Sequence, residues 1–173
     1  SLKCSKTKHD LVLLGTHDLL NHPSATALSL FWDMRDVALV DEGLQMTRHC
    51  HPRFRRVFTK LQVMDLDEYS TVLLLDADLL VRRNIDELFD IEAPAALVRG
   101  PGDHRAGEVR QKKSYYLPDG SLMGGINAGV VLLEPSGKTL QRMRFALRDG
   151  WRQASLSGST MPEQDFLTMW FDG

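Results

Sequence analysis

Two carboxylates spaced two positions apart, Asp76 and Asp78, follow the most apolar run of the chain, Thr71-Val-Leu-Leu-Leu75. In an extended chain residues i and i+2 project to the same side, so this spacing would aim both side chains at one point. Like charges set beside an apolar strand repel one another and resist desolvation, and a bound cation or a raised pKa relieves both costs. Carboxylate oxygens suit a hard divalent ion such as Mn²⁺ or Mg²⁺. The bland alternative is a solvated strand end. The sequence holds its own control in Asp65-Leu-Asp67, which stands at an expected helix end and not after a strand.

Other residues gain meaning only in company. Lys60 flanks an apolar stripe at Phe54, Val57, Phe58 and Leu61, spaced i, i+3, i+4, i+7 as on one helix face. It reads either as a snorkelling surface lysine or as a cation facing the phosphates of a nucleotide. Asn127-Ala128-Gly129 opens an apolar run ending at Leu133. Small residues there ease packing; alternatively Asn127 offers an amide to a hydroxyl-rich ligand and Gly129 admits that ligand to the backbone. Glu163-Gln164-Asp165 follow Pro162 at the start of an expected helix, where the dipole favours acidic side chains in any case.

The elements that must carry these residues alternate in type. Leu11 to Leu14, closed by Gly15, reads as a buried strand, and Ser24 can cap a helix over Ala25 to Trp32. Val37 to Val40, Thr71 to Leu75, Ala95 to Val98 and Asn127 to Leu133 read as further strands, the Ala-rich one least strongly. The polar stretch from Gly100 to Gly125 suits a lid or insertion. Ser136 can cap a helix whose apolar face is Leu140, Met143 and Leu147 and which Gly150 ends. A last helix carries Phe166, Leu167, Trp170 and Phe171. Alternation of this kind predicts α/β layering around a mostly parallel sheet.

Composition narrows the function classes. The chain has 173 residues, 43% hydrophobic and 25% charged, enough for one soluble domain with a real core. Lys and Arg total 21 against 23 for Asp and Glu, a net charge of -2, which argues against a nucleic-acid binder acting by phosphate neutralisation. No apolar run approaches the roughly 18–20 residues of a membrane span, and no signal-peptide pattern opens the chain. The default expectation is cytoplasmic, with the Golgi or another compartment left open because the chain starts without Met. Cys4 and Cys50 make neither a disulfide framework nor a metal-like pair.

In order along the chain stand Phe58-Thr-Lys-Leu61, Val72-Leu-Leu-Leu-Asp-Ala-Asp78, Asn84-Ile-Asp-Glu-Leu-Phe89, Ile126-Asn-Ala-Gly-Val130 and Glu163-Gln-Asp-Phe-Leu167. The series resembles the family 8 glycosyltransferases, the glycogenin-like and galactinol-synthase-like retaining enzymes, from about Leu11 onward. The resemblance implies a GT-A fold, a Rossmann-like α/β/α sandwich with a mostly parallel central sheet, of which residues 1–173 are a single, partial catalytic domain. It implies transfer of a hexose from a UDP-hexose donor to an acceptor, with retention of configuration and without a carboxylate nucleophile. By resemblance, Asp76-Ala77-Asp78 would hold Mn²⁺ (or Mg²⁺) on the donor diphosphate, with Asp76 also near the ribose or sugar. Lys60 would approach the donor phosphates and sugar, and Asn127, Ala128 and Gly129 would line the sugar pocket. Glu163 and Gln164 would stand at the reacting face, Gln164 beside the anomeric carbon.

The sequence departs from the family pattern in places. The family's first strand would precede Ser1, and its C-terminal segment, whose His completes the metal site, is absent from these residues. Glu163 stands where Asp is commoner, and Thr160 where some members have Asp. The basic segment Arg48 to Arg53 lies where a family arginine approaches the base. Arg99, His104, Tyr115 and Tyr116, in or beside the polar insertion, are candidates for shaping the acceptor site. Two other readings remain. One is a catalytically inactive nucleotide-sugar-binding relative. The other is a haloacid-dehalogenase-like phosphatase, suggested by Leu73-Leu-Leu-Asp-Ala-Asp78 but lacking the usual Thr or Val after the second Asp, where Leu79 and Leu80 stand.

Overall fold

The computed structural model describes residues 1–48, 51–99, 115–116, 122–123, 125–150, 159 and 161–171. In chain order the elements are β1 (Val12–Gly15), α1 (His17–Leu20), β2 (Asp33–Asp36), β3 (Val72–Leu75), β4 (Ala95–Arg99), β5 (Tyr115–Tyr116), β6 (Leu122–Met123), β7 (Gly125–Leu133), α2 (Gly137–Arg148) and α3 (Pro162–Phe171). Short 3-10 segments punctuate them, the longest at Val57–Asp65. The fold is α/β. Most of the insertion from Gly100 to Gly125, Thr160, and His49 and Cys50 of the basic segment lie outside the described residues.

The expected parallel pairing is present between β1 and β2, in register from Val12↔Asp33 to Gly15↔Asp36. The larger described sheet, in the order β3-β7-β4, is antiparallel on both sides of β7 instead. The physical reason lies in chain order. β3 and β4 run the same way, as alternation predicts, but β7 arrives later and inserts between them in the opposite sense. Apolar runs in the sequence carry no signal for such an insertion.

Two of the shorter expectations shift. The partner of β1 is the polar stretch Asp33–Asp36, held by an ion pair of Arg35 with both Asp33 and Glu68. The run Val37 to Val40 enters the core as irregular chain, with Val40 fully buried. Side chains of the Val57–Asp65 segment satisfy its backbone: Gln62 Nε2 donates to the Ala38 carbonyl at 2.7 Å, and the Val40 N–H donates to Thr59 Oγ1 at 3.2 Å. The helix expected over Ala25 to Trp32 is a 3-10 turn at Pro23–Ala27, capped by His22 in place of Ser24. Leu30 and Phe31 beyond it are exposed, so no packed face holds a longer helix there.

The core lies under β7. Val131, Leu132 and Leu133 are buried, and α2 contributes Leu140, Met143 and Leu147 from one face. Ser136 Oγ accepts from the Thr139 N–H at 3.2 Å, the expected cap. Phe58 and Phe166, both fully buried, meet edge to face with centroids 5.6 Å apart, which locks the Val57–Asp65 segment to α3. The second Asp-x-Asp has a structural role. Asp67 Oδ1 accepts from the Gly137 N–H at 2.7 Å, so this carboxylate caps the start of α2.

Candidate active site

Three elements meet at the end of β3. Asp76 follows the strand directly, and its N–H donates to the Gly129 carbonyl on β7 at 2.9 Å. Lys60 comes from the Val57–Asp65 segment, anchored on either side by buried Phe58 and Leu61. Glu163 and Gln164 come from the first turn of α3, which begins at Pro162. Lys60 Nζ sits 2.6 Å from Asp76 Oδ1 and 2.9 Å from Glu163 Oε1, so one ammonium bridges two carboxylates more than eighty residues apart in sequence.

Pairing between β4 and β7 is broken at this point. Ala96 and Leu97 are adjacent on β4, but their partners on β7 are Val131 and Asn127. Ala128, Gly129 and Val130 therefore form a bulge, an irregularity that re-aims the backbone and is common beside active sites. The structure shows what the bulge needs. A Cβ on Gly129 would stand 2.9 Å from Asn127 Oδ1 and 3.4 Å from Asp76 Oδ2, so the bare Cα is what lets the Asn127 side chain lie as it does. Asn127 is exposed, with its Oδ1 accepting from the Gly129 N–H at 2.8 Å.

α3 is laced to β7 by its own side chains. The Ala128 N–H donates to Gln164 Oε1 at 3.1 Å, and one helical turn on, the Ile126 N–H donates to Thr168 Oγ1 at 3.0 Å. The positions i and i+2 on a strand thus match i and i+4 on a helix. The Arg99 guanidinium pairs with Asp165, whose Oδ2 also accepts from Ser159 Oγ at 2.5 Å. Neither Thr168 nor the Arg99–Asp165–Ser159 chain was expected from sequence as part of this arrangement. The signals were the position of Asp165 directly after Gln164 and that of Arg99 just before the polar insertion, where it was read toward the acceptor and not toward Asp165.

Electrostatics follow from burial. Burial alone would lower the Lys60 pKa, but the adjoining Glu163 and Asp76 outweigh it and hold the ammonium above its ordinary value. Burial pushes the Glu163 carboxyl up, with Asp76 adding to the rise and Lys60 opposing it.

Asp78 departs from the extended geometry that its spacing implies. The chain turns at Ala77 and Asp78, closed by the Leu79 N–H donating to the Asp76 carbonyl at 3.2 Å, and both residues are exposed. Asp76 is half-buried while Asp78 faces solvent. Among the described residues no group of three or more His, Cys, Asp or Glu comes together. The available metal donors here are Asp76 Oδ2 and the Asp78 carboxylate. Carboxylate oxygens are donors of the kind that a hard divalent ion takes, its shell being completed by water and substrate phosphates.

Comparison with known proteins decides the family. The model of glycosyl transferase family 8 matches residues 44–173, three quarters of the chain and every site residue above. The chain belongs to glycosyl transferase family 8. Its α/β fold is the GT-A type of that family, and the dehalogenase-like reading of Asp76 falls away. The chain is 30% identical over 169 residues to an uncharacterised protein of Acanthamoeba polyphaga mimivirus, covering 98% of this chain and 58% of that one. It is 28% identical to human glycogenin-1 over 83% of this chain and 36% of glycogenin-1. It is 24% identical to the Arabidopsis thaliana inositol phosphorylceramide glucuronosyltransferase 1 over 99% of this chain and 26% of that protein. The chain therefore spans less than two thirds of the length of each of these relatives. No helix among the described residues is long and apolar enough to cross a membrane.

Proposed function

We propose that residues 1–173 are the donor-binding part of one catalytic domain, a retaining hexosyltransferase that takes its sugar from a UDP-hexose with Mn²⁺ or Mg²⁺. The observation that carries this reading is the meeting of Lys60, Asp76 and Glu163 beside the Gly129 bulge, with Gln164 tied to the same strand. Two of the names among the relatives, glycogenin and glucuronosyltransferase, agree with sugar transfer.

Asp76 and Asp78 would hold the metal on the donor diphosphate, Asp76 through the oxygen that Lys60 leaves open. The metal would supply Lewis-acid neutralisation of the charge developing on the leaving diphosphate. Lys60, kept protonated by its two carboxylates, adds a second positive charge near the same phosphates. Asn127 presents an amide at the exposed lip of the bulge, where sugar hydroxyls can pair with it. Gln164 is oriented by the Ala128 N–H and stands at the sugar's reacting face.

Retention without a carboxylate nucleophile fits the neighbours of Gln164. Glu163 is engaged by Lys60, and Asp165 by Arg99 and Ser159. Both flanking carboxylates are thus committed to partners. A front-face route, in which the acceptor enters on the side the diphosphate leaves, needs neither as nucleophile.

Incubation of the protein with UDP-glucose or UDP-galactose, Mn²⁺ and candidate acceptors tests the reading. The expected result is metal-dependent release of UDP with a product of retained anomeric configuration by NMR. UDP binding with neither transfer nor hydrolysis would favour the inactive nucleotide-sugar-binding relative instead.

A further inference from the structure

The Lys60 ammonium occupies a position between carboxylates that a metal ion would also favour. Its Nζ takes Asp76 Oδ1 and Glu163 Oε1, while Asp76 Oδ2 faces the bare Cα of Gly129. The two oxygens of one carboxylate thus look in different directions, one already bonded to a cation. A divalent ion on the second oxygen would sit close to the ammonium in a half-buried setting, where solvent and salt screen poorly. The two cations repel. A nucleoside diphosphate reverses this balance, because its phosphate oxygens attract both.

We propose that Lys60 is a built-in cation that holds Asp76 and Glu163 in place without metal, opposes the binding of bare Mn²⁺, and makes metal and nucleoside diphosphate enter together. The inference rests on the donor-site reading and adds a cause for coupling between the two ligands. That coupling is reciprocal: the factor by which UDP improves Mn²⁺ affinity is the factor by which Mn²⁺ improves UDP affinity. Neutralising Lys60 should therefore strengthen bare metal binding and shrink the coupling.

The test is titration of Mn²⁺ against the protein, with and without UDP, following the free-ion electron paramagnetic resonance signal. Lys60→Met alone would free Glu163 as a new ligand, so the deciding comparison is Lys60→Met combined with Glu163→Gln against Glu163→Gln alone, two variants that differ only in the Lys60 charge. Lys60→Arg keeps the charge. The double variant should bind Mn²⁺ alone on the order of tenfold tighter than Glu163→Gln does, with a smaller gain from UDP. The Arg variant should keep bare Mn²⁺ binding weak, whatever it does to donor binding and turnover. Equal bare-metal affinity in the double variant and in Glu163→Gln overturns the inference. UDP-enhanced Mn²⁺ binding that ignores the charge at Lys60 overturns it while sparing the donor site. A natural protein whose Mn²⁺ binding is indifferent to UDP overturns the donor-site reading as well.

Discussion

The N–H of Ala128 donates to Oε1 of Gln164 at 3.1 Å, so the residue proposed for the reacting face of the sugar also ties α3 to the central strand. These two jobs can be separated by substitution. Gln164→Ala leaves a buried backbone donor unpaired, which costs about 1–3 kcal/mol of stability, visible as a lower urea midpoint. Gln164→Glu keeps an oxygen acceptor and should hold most of that stability while changing turnover. Equal loss of stability in both variants would show that the tie contributes nothing.

Lys60 and Glu163 should respond oppositely to loss of charge. Lys60→Met strands two carboxylates and should cost about 2 kcal/mol, less than a fully buried pair because Lys60 remains partly exposed. Glu163 has a folded pKa raised above 4.5, so the stability linked to it is fully present below that value and is lost as pH rises through the folded pKa. Glu163→Gln should therefore match the natural protein in acid and become the more stable of the two toward neutral pH. The Lys60 pKa is raised above 10.5; its contribution is complete below that value and is lost as pH rises through the folded pKa. Denaturant titrations across pH check both signs, and a Glu163→Gln variant less stable at neutral pH would contradict the first.

Two glycine substitutions should separate site from core. In Gly129→Ala the new Cβ meets the end of the Asn127 side chain, which can swing away at the loss of one hydrogen bond, about 1 kcal/mol. UDP-sugar binding should weaken with little unfolding. In Gly43→Ala the Cβ would fall 2.0 Å from the ring of fully buried Phe58, and the cost should reach about 1–3 kcal/mol or more. Thermal melts with and without UDP-hexose distinguish the two outcomes.

A half-buried carboxylate is among the groups that fasten the N-terminal segment. Asp86 accepts from Thr7 Oγ1 at 2.5 Å and from the Lys8 N–H at 3.0 Å, and these bonds, the Thr7 hydroxyl first, depress its pKa below 3.8. Its contribution is present above 3.8 and lost as pH falls through the folded value. Asp86→Ala should speed hydrogen exchange at the Lys8 amide at neutral pH; an unchanged rate would show that the contact is idle.

What the sequence revealed follows from what kind of force sets each feature. The α2 cap at Ser136, the strand ending at Leu75 and the start of α3 at Pro162 are local, and periodicity and capping chemistry show them directly. Lys60, Asp76, Glu163 and Gln164 were legible as a set because their order and spacing match a family, and the structure brings those four together. Asp78 was legible as a residue but not as a direction: a turn replaces the extended chain that would aim it beside Asp76. Insertion of β7 between β3 and β4 and the bulge at Gly129 depend on long-range pairing, which no local pattern encodes. The bonds from Thr168 and Gln164 to β7 were invisible for the same reason.

Asp76 and Asp78 are proposed to join a metal to a nucleoside diphosphate. Calorimetric titration of UDP into the protein, with Mn²⁺ and then with EDTA, in the natural protein and in Asp78→Ala, tests it most directly. Binding should need Mn²⁺ and weaken on the order of tenfold or more in the variant. Binding of equal strength in EDTA and in Asp78→Ala would contradict it.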